Sequence, residues 1–357
     1  MKPNPRLTAH KPIKHGGIFS ISKPDPKILD FSSNINPLGP GANVHKTIKE
    51  NLETLSIYPD PESTELRRLL QKYTQTPLSQ VVIGNGATEL IYNFCNSFLS
   101  KKTPVLIPIP TFGEYEAASK LSGATVKFFK TMDLNNDLKD FISKIPRNGC
   151  IFICNPNNPT GKLLSKNNMK IILDSAKKKN TMVFVDECFI ELVPKYNESI
   201  ISFVKNYNNL FILRSLTKSF GLAGIRIGYG LGSKKIISIL NKIKIPWNVS
   251  GLAQHAAIAA LSNPKHLDKA KKIIQDESNY LTSKISKLSN FECTESSTNF
   301  ILIKSKINSQ NLQKKLLKKK ILVRDCSNFR GLNKNFIRIA VKTRKQNQKL
   351  VKALEEL

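Results

Sequence analysis

The sequence predicts an α/β protein with a large domain built on a mainly parallel sheet and a smaller α+β domain. Short, continuous apolar runs of strand length alternate with amphipathic helical patterns, and such strands pair in parallel between helical layers. The order of strand and helix patterns along the sequence changes near residue 246, and a chain of 357 residues commonly forms two domains. We therefore expect an N-terminal arm (1–30), a large domain (31–245) and a small C-terminal domain (246–357).

The elements of the large domain follow from apolar periodicity. The arm is rich in Pro, Lys and Gly and is expected to be extended. Asp60 and Pro61 suit an N-cap and the first position of a helix. Residues 87–99 carry apolar side chains on one helical face. Six short β-branched runs predict strands, at 81–83, 105–107, 151–153, 182–185, 210–213 and 225–227.

The small domain has a different order of elements. A long Lys-rich region (252–288) has a helical pattern, and three strand signals follow it at 300–303, 321–323 and 336–339. This order of helix and strands predicts an α+β fold.

The charge and cysteine content limit the classes of partner and compartment. The chain carries 56 Lys+Arg against 26 Asp+Glu, a formal charge of +30, which attracts polyanions and phosphorylated small molecules. The lysine clusters lie beside apolar periodic stretches, which favours a general compositional bias, and no nucleic-acid-binding motif is present. We expect no nucleic-acid partner. The six cysteines form no CxxC pair, and no signal segment or long apolar run occurs, so we expect a cytoplasmic protein without membrane contact.

Polar residues follow several predicted strands, and ligands of open α/β sheets bind at the carboxyl ends of strands. The turn 84–89 (GNGATE) opens onto a helix N-terminus, which favours a phosphate, although such a turn is as often purely structural. Segment 155–161 (NPNNPTG) forms a rigid turn after a strand. Asp186 and Glu187 follow the next strand, and 214–228 (RSLTKSFGLAGIRIG) follows the one after that.

Together, NPNNPTG, VDE and SLTKSFGLAGIRIGY resemble the class I/II aminotransferases, a family of fold-type I enzymes that use pyridoxal 5′-phosphate (PLP). The resemblance covers nearly the whole chain. It implies that Lys218 holds PLP as a Schiff base and that Asp186 pairs with the pyridinium nitrogen, so that the ring can accept electrons. Outside this motif, Lys218 would be interpreted as a solvated lysine and Asp186 as a helix N-cap.

The resemblance implies roles for further residues. The cofactor phosphate is expected to bind a set of charged and polar groups at Ala87, Thr88, Ser215 and Arg226. Asn158 matches the asparagine that bonds the ring hydroxyl. Phe112 matches the aromatic residue that stacks on the ring, although it could equally be a core residue.

Two more matches concern the substrate and the assembly. Arg338 matches the arginine that binds the substrate α-carboxylate. Tyr58 matches a tyrosine that reaches the phosphate of the neighbouring subunit's cofactor, which implies a homodimer with shared active sites. One departure stands out: Phe189 occupies a position where many of these aminotransferases have tyrosine, and the missing hydroxyl weakens a simple transaminase assignment.

Within the family, HGG at 15–17, the segment 29–40 (LDFSSNINPLGP), DECF at 186–189 and VRDCSNF at 323–329 resemble the threonine-phosphate decarboxylases of cobalamin biosynthesis. This implies a phosphorylated amino-acid substrate whose phosphate binds Arg324, with His15 and Asn34 nearby. Alternatively, His15 and its glycines are only a flexible arm.

Two alternatives to decarboxylation stay open. The histidinol-phosphate aminotransferases are the nearest alternative, because their substrate is also a phosphate monoester. A regulator that kept the fold and binds nucleic acid is a third hypothesis. The intact set of Lys218, Asp186 and Asn158 argues against it.

Overall fold

The computed structural model describes residues 5–194 and 198–357. Its strands fall into a seven-stranded sheet, a four-stranded sheet and a separate pair. The strands are β1 (Leu29–Asp30), β2 (Val81–Gly84), β3 (Pro104–Ile109), β4 (Thr125–Lys130), β5 (Cys150–Cys154), β6 (Met182–Asp186), β7 (Leu210–Ser215), β8 (Gly228–Gly232), β9 (Phe291–Cys293), β10 (Phe300–Ser305), β11 (Ile321–Leu322), β12 (Arg324–Asp325) and β13 (Phe336–Ala340).

Helices surround these sheets. They are α1 (Pro5–Ala9), α2 (Ala42–Glu50), α3 (Thr64–Thr74), α4 (Gly86–Phe98), α5 (Glu114–Leu121), α6 (Leu138–Lys144), α7 (Lys166–Lys178), α8 (Leu216–Ser219), α9 (Lys234–Ile243), α10 (Gly251–Leu261), α11 (Pro264–Ile285), α12 (Ser309–Lys318) and α13 (Arg344–Glu355). In the part of the chain that the structure describes, none of them combines the length and apolar character that crossing a membrane requires.

The large sheet has the order β2-β8-β7-β6-β5-β3-β4. Strands β3 to β7 are parallel to one another, and only β8 runs antiparallel to its neighbours β2 and β7. Every residue of β5 and β7 is buried, as expected for strands covered by helices on both faces. The prediction of an α/β fold with a mainly parallel sheet is confirmed. Because β5, β6 and β7 are parallel neighbours, the residues that follow them meet at one edge of the sheet.

The small sheet is antiparallel, in the order β12-β13-β10-β9. Its apolar residues form a second hydrophobic cluster with α11, α12 and α13, separate from the cluster around the large sheet. Phe31, which directly follows β1, is fully buried in this second cluster. Strand β1 also pairs with β11, so the segment after the arm packs with the C-terminal part of the chain.

Helix α10 belongs to the first cluster, because its alanines pack with the large-sheet residues and the helix contacts α2 and α3. Packing around the small sheet therefore starts later in the chain than residue 246. The domain limits 1–30, 31–245 and 246–357 stay a prediction.

Two local predictions were wrong. No strand forms over 225–227, since Arg226 has a left-handed φ of 61° that interrupts an extended chain, and β8 begins only at Gly228. The helix predicted to begin at Asp60 begins at Thr64. The Asp60 carboxylate instead accepts the backbone N–H groups of Glu62 and Thr64, at 2.9 and 2.6 Å, and closes a turn before that helix.

Two predicted elements are divided in the structure. The helical region 252–288 is split into α10 and α11, because Pro264 occupies the start of a new helix. The strand predicted at 321–323 is split into β11 and β12, which join different sheets. The second division matters for the site because it brings Arg324 into the small sheet.

Candidate active site

One cavity of about 1120 Å³ lies at the carboxyl edge of the large sheet and extends to the small sheet. Twelve of the thirteen residues predicted for the site line it. They are His15, Asn34, Ala87, Thr88, Phe112, Asn158, Asp186, Ser215, Lys218, Arg226, Arg324 and Arg338. The exception is Tyr58, which is 79% exposed and packs against Trp247 with the ring centres 5.0 Å apart.

Lys218 lies in α8, a single turn of helix that follows β7 directly. Its backbone carbonyl accepts the N–H of Asn36 at 2.9 Å, and this hydrogen bond holds the turn against the segment that contains Asn36. Burial of the amine, helped by the nearby positive charge of Arg338, lowers the pKa of Lys218 to about 8. A substantial fraction of the amine is therefore neutral, and thus nucleophilic, near physiological pH.

Asp186 is the last residue of β6, and its carboxylate is buried. The hydroxyl of Tyr115 donates to Oδ2 at 2.5 Å, and the backbone N–H of Cys188 donates to Oδ1 at 2.8 Å. Burial raises the pKa of Asp186, although these hydrogen bonds favour its charged form. A buried carboxylate that accepts two hydrogen bonds in this way is suited to pair with a protonated ring nitrogen.

The N-terminus of α4 forms an anion-binding turn. Gly86 has a φ of 78°, and a Cβ atom there would lie 2.4 Å from Nη2 of Arg226, so only glycine lets the arginine approach the helix. Arg226 also donates to the hydroxyl of Thr217 at 3.4 Å. Ala87, Thr88 and Ser215 line the same region of the cavity. Helix N–H groups, hydroxyls and a guanidinium together are suited to bind a phosphate.

Asn158 and Arg338 bind one another at the junction of the two sheets. Nη1 of Arg338 donates to Oδ1 of Asn158, and Nη2 donates to the backbone oxygen of Ser32 at 2.8 Å. The amide nitrogen of Asn158 is thereby left as the group that can donate to a ligand. Nε of Arg338 is buried without a partner in the described chain.

Arg324 and Arg338 are directly paired across the antiparallel strands β12 and β13, so their side chains leave the same face of the small sheet. Burial, together with the charge of Arg324, lowers the pKa of Arg338 to about 10. Arg324 donates through Nη2 to the Lys14 carbonyl at 2.7 Å and to Oδ1 of Asn328 at 2.9 Å. Among the described residues, neither guanidinium forms a salt bridge with a carboxylate.

The end of the arm is docked onto the cavity. Nε2 of His15 lies 2.7 Å from Oε1 of Glu114, and its ring centre is 5.7 Å from that of Phe112. The N–H of Gly17 donates to Oγ of Ser32 at 2.7 Å. Asn34 is buried, and its side-chain oxygen has no partner in the described chain.

Phe189 lies in the wall of the cavity, edge-on to Phe300 with the ring centres 5.1 Å apart. No hydroxyl exists there to bond a ring oxygen. Phe112 also lines the cavity, and its ring packs edge-on to Tyr115 at 5.6 Å. A phenylalanine that faces the cavity in this way is available to stack on a planar ligand.

Several groups at the site carry no role in the sequence-based prediction. They are Glu114, Tyr115, Thr217 and Asn328. Tyr115 and Glu114 belong to the same short motif as Phe112, so the sequence alone could have predicted that they lie near the site. Their hydrogen-bond partners could not be predicted, because His15 is 99 residues from Glu114 and Asp186 is 71 residues from Tyr115.

The family assignment rests on a match over most of the chain. The sequence pattern described as "Aminotransferase class I and II" matches residues 26–354. The chain belongs to this family. It is an enzyme of the PLP-dependent class I/II aminotransferases, as the motifs around Lys218 indicated.

Two relatives differ in the reaction that their names state. A protein of Caldanaerobacter subterraneus subsp. tengcongensis named "Putative threonine-phosphate decarboxylase" is 38% identical over 352 residues, 97% of this chain and 94% of that protein. A "Histidinol-phosphate aminotransferase" of Methanosarcina mazei is 35% identical over 337 residues, 93% of this chain and 89% of that protein. Similarity to these relatives therefore establishes the family and leaves the reaction within it open.

Solved structures give the same result. The histidinol-phosphate aminotransferase of Clostridium acetobutylicum has a TM-score of 0.86 at 34% identity, covering 92% of this chain and 98% of that one. The L-threonine-O-3-phosphate decarboxylase of Porphyromonas gingivalis has a TM-score of 0.84 at 28% identity, covering 92% and 99%. The fold-type I architecture is thus confirmed.

The cofactor of this family is pyridoxal 5′-phosphate. A histidinol-phosphate aminotransferase of Sinorhizobium meliloti with the same fold was solved with PLP bound, at a TM-score of 0.87 and 20% identity, covering 99% of this chain and 97% of that one. The residues described above fit this group, because they offer an amine for its aldehyde, a buried carboxylate for its ring nitrogen and a cationic turn for its phosphate.

Proposed function

We propose that this enzyme decarboxylates L-threonine O-3-phosphate to (R)-1-aminopropan-2-ol O-phosphate, the aminopropanol unit of cobalamin biosynthesis. The observation that carries the proposal is the cross-strand pair Arg324 and Arg338. Like charges paired directly across two strands repel one another, so two such cations without carboxylate partners are suited to a ligand with two anionic groups. Threonine phosphate carries a carboxylate and a phosphate.

Each end of the substrate has a candidate site. Arg338 is held from two sides by Asn158 and Ser32, so its remaining N–H groups have a fixed direction in which to bind the carboxylate. Arg324, with His15 and Asn34 along the same cavity wall, would bind the phosphate. Histidinol phosphate itself has no carboxylate for the second arginine; in a transaminase, Arg338 would bind a carboxylate of the co-substrate 2-oxoglutarate instead, so the test below separates the two reactions.

The chemistry divides between the cofactor and the chain. When bound, PLP withdraws electrons from the substrate Cα and so weakens the bonds to it. Asp186 would keep the ring nitrogen protonated, and Asn158 would orient the ring. The two arginines would hold the carboxylate and the phosphate of the substrate and so select the bond from Cα to the carboxylate. Loss of that carboxylate as CO₂ would be balanced by a proton that the amine of Lys218 gives to Cα.

The reaction is tested with purified, PLP-saturated enzyme and L-threonine O-3-phosphate as the only substrate. We expect CO₂ and the amino alcohol phosphate to form in equal amounts without a keto acid. The proposal fails if turnover requires 2-oxoglutarate and histidinol phosphate instead. That second candidate is favoured by the relatives of 35% and 34% identity.

The proposal includes a homodimer with shared active sites. Tyr58 lies in an apolar surface formed by two adjoining segments, here called the aromatic patch, whose exposed members are Leu52, Leu55, Ile57, Tyr58, Ile245 and Trp247. Asn248, next to Trp247, donates to Glu89 of α4 at 3.0 Å, so the patch adjoins the turn that would bind the cofactor phosphate. A second copy of the chain seated on the patch would bring its own patch, and hence its Tyr58, to this turn.

A further inference from the structure

A buried carboxylate beside the cavity has no part in the proposed reaction. Glu114 lies in the first turn of α5 and is only 6% exposed. Both of its oxygens are engaged: Oε2 accepts the hydroxyl of Tyr92 at 2.7 Å, and Oε1 lies 2.7 Å from Nε2 of His15. Although burial opposes ionisation, hydrogen bonds from His15 and Tyr92 hold the pKa of Glu114 below its ordinary value. The carboxylate is therefore charged at neutral pH.

His15 faces the cavity from the arm. Its side chain is half exposed, and it packs near the ring of Phe112. The preceding residue is anchored as well, because the Lys14 carbonyl accepts from Nη2 of Arg324 at 2.7 Å and from Nδ2 of Asn328 at 3.0 Å. The same guanidinium that would bind the substrate phosphate thus also holds the backbone next to His15. The other charged groups around Glu114 include His10, whose positive charge acts on the carboxylate.

We propose that Glu114 is a positioning residue that holds the imidazole of His15 against the cavity for the phosphate group of the substrate. Tyr92 of α4 donates to the other oxygen of the Glu114 carboxylate and so fixes its orientation. This inference rests on the proposed binding of a phosphate monoester beside Arg324. It gives this buried acidic residue a function beside a cavity that several cations line: it acts on His15 and does not face the substrate.

The geometry supports this division of roles. With Nε2 engaged by Glu114, the second ring nitrogen of a protonated His15 is the donor available to a phosphate oxygen. Without the carboxylate, the side chain would be free to adopt other rotamers, and ordering it on binding would cost free energy. The loss is expected in substrate binding and not in the bond-breaking step, because Lys218 and Asp186 are not contacted by Glu114.

The test compares Glu114→Gln, His15→Ala and the double variant as PLP-loaded enzymes. Glutamine keeps the size of the side chain and its hydrogen bonds to Tyr92 but removes the charge. We expect each single variant to raise KM for the phosphorylated substrate about tenfold with kcat within about twofold, the loss of one charge-assisted hydrogen bond. The double variant should be no worse than His15→Ala alone, because Glu114 acts through His15.

Two further variants serve as controls. Glu292→Gln makes the same chemical change in β9, outside the cavity, where an exposed carboxylate pairs with Lys304, and it should leave KM unchanged. Tyr92→Phe removes only one hydrogen bond to Glu114 and should raise KM less than Glu114→Gln. An unchanged KM in Glu114→Gln, or additive effects in the double variant, would overturn the inference.

The result is kept separate from the choice of reaction by measuring inorganic phosphate as a competitive inhibitor. The inhibition constant of phosphate should rise in Glu114→Gln by the same factor as KM. This holds whichever of the two phosphate monoesters the wild-type enzyme turns over. If threonine phosphate is not decarboxylated but phosphate inhibition weakens as expected, only the proposed reaction fails. If phosphate inhibition is the same in wild type and Glu114→Gln, the role of Glu114 fails.

Discussion

At the scale of single residues, the amine of Lys218 decides how readily the protein acquires its cofactor. Its lowered pKa of about 8 means that the protonated form dominates below that pH and the neutral form above it. Only the neutral amine can attack an aldehyde. We expect the rate of PLP uptake by the cofactor-free protein to fall about tenfold per pH unit below pH 8 and to level off above it. Stopped-flow absorbance of the bound cofactor measures this rate.

Lys218→Arg provides the control, since it keeps a positive charge and cannot form the covalent bond. It should show no pH-dependent uptake. An uptake rate that continues to rise up to pH 10 would show that the environment of Lys218 does not favour its neutral form.

The pair Arg324 and Arg338 is expected to oppose folding while it serves binding. Arg324→Gln removes the repulsion between them, so the cofactor-free protein should be more stable by ~0.5 kcal/mol while KM for the phosphorylated substrate rises. Thermal unfolding and steady-state kinetics of the same preparation check both. A variant that is less stable and binds substrate normally would contradict a role of Arg324 in the site.

Much of the site could be predicted from the sequence because its residues follow strands that meet at one sheet edge. Asp186 ends such a strand, and Lys218 and Asn158 lie within four residues of the end of another. Arg324 was reached only through the resemblance, since no local pattern shows that a predicted strand divides and pairs Arg324 with Arg338. Glu114 escaped prediction for a similar reason, because its meaning depends on His15, 99 residues away.

At the scale of elements, a buried ionic cluster ties β7 to the segment that follows β6. Arg214 of β7 donates through Nε to Glu187 at 2.9 Å and through Nη1 to Glu191 at 3.0 Å. Ser219, next to Lys218, donates to the other oxygen of Glu191 at 2.6 Å. The cluster thus fixes α8, the turn that carries Lys218, against the neighbouring strand.

Removing the cation of this cluster should be costly, because two buried carboxylates would be left without a positive charge to balance them. We expect Arg214→Met to lower the free energy of unfolding by about 3–5 kcal/mol, measured by urea denaturation of the cofactor-free protein. Lys144→Met is a suitable comparison, because its ion pair with Asp140 is exposed and its loss should change stability by less than about 1 kcal/mol. Equal effects of the two variants would contradict the structural importance of the buried cluster.

Predictions of the elements failed where local pattern and tertiary position disagree. Strand β4 was not predicted because lysines interrupt its apolar residues, as an edge position permits. The strand expected at 225–227 looked apolar enough, but Arg226 adopts a left-handed conformation beside Gly86. The apolar pattern of the segment gives no sign of that conformation, which accompanies the approach of the Arg226 guanidinium to the N-terminus of α4.

At the scale of the whole molecule, the aromatic patch is expected to be covered by a second copy of the chain. Ile57→Lys places a charge in it and should produce a monomer in size-exclusion chromatography with light scattering, with faster loss of PLP, because Tyr58 no longer reaches the partner's site. Ile171→Lys changes an exposed isoleucine of α7, outside the patch, and should stay dimeric. A monomeric wild type, or a dimer unaffected by Ile57→Lys, would contradict the proposed interface.

The fixation of Arg338 between Asn158 and Ser32 has a consequence for turnover. A guanidinium held on both sides cannot follow a ligand that changes shape, and the proposed decarboxylation would remove the group that Arg338 is proposed to bind. Once CO₂ had left, the amino alcohol would have no carboxylate for this cation, and only its phosphate would stay bound. The enzyme would therefore discriminate against its own product, so that accumulated amino alcohol phosphate inhibits it weakly.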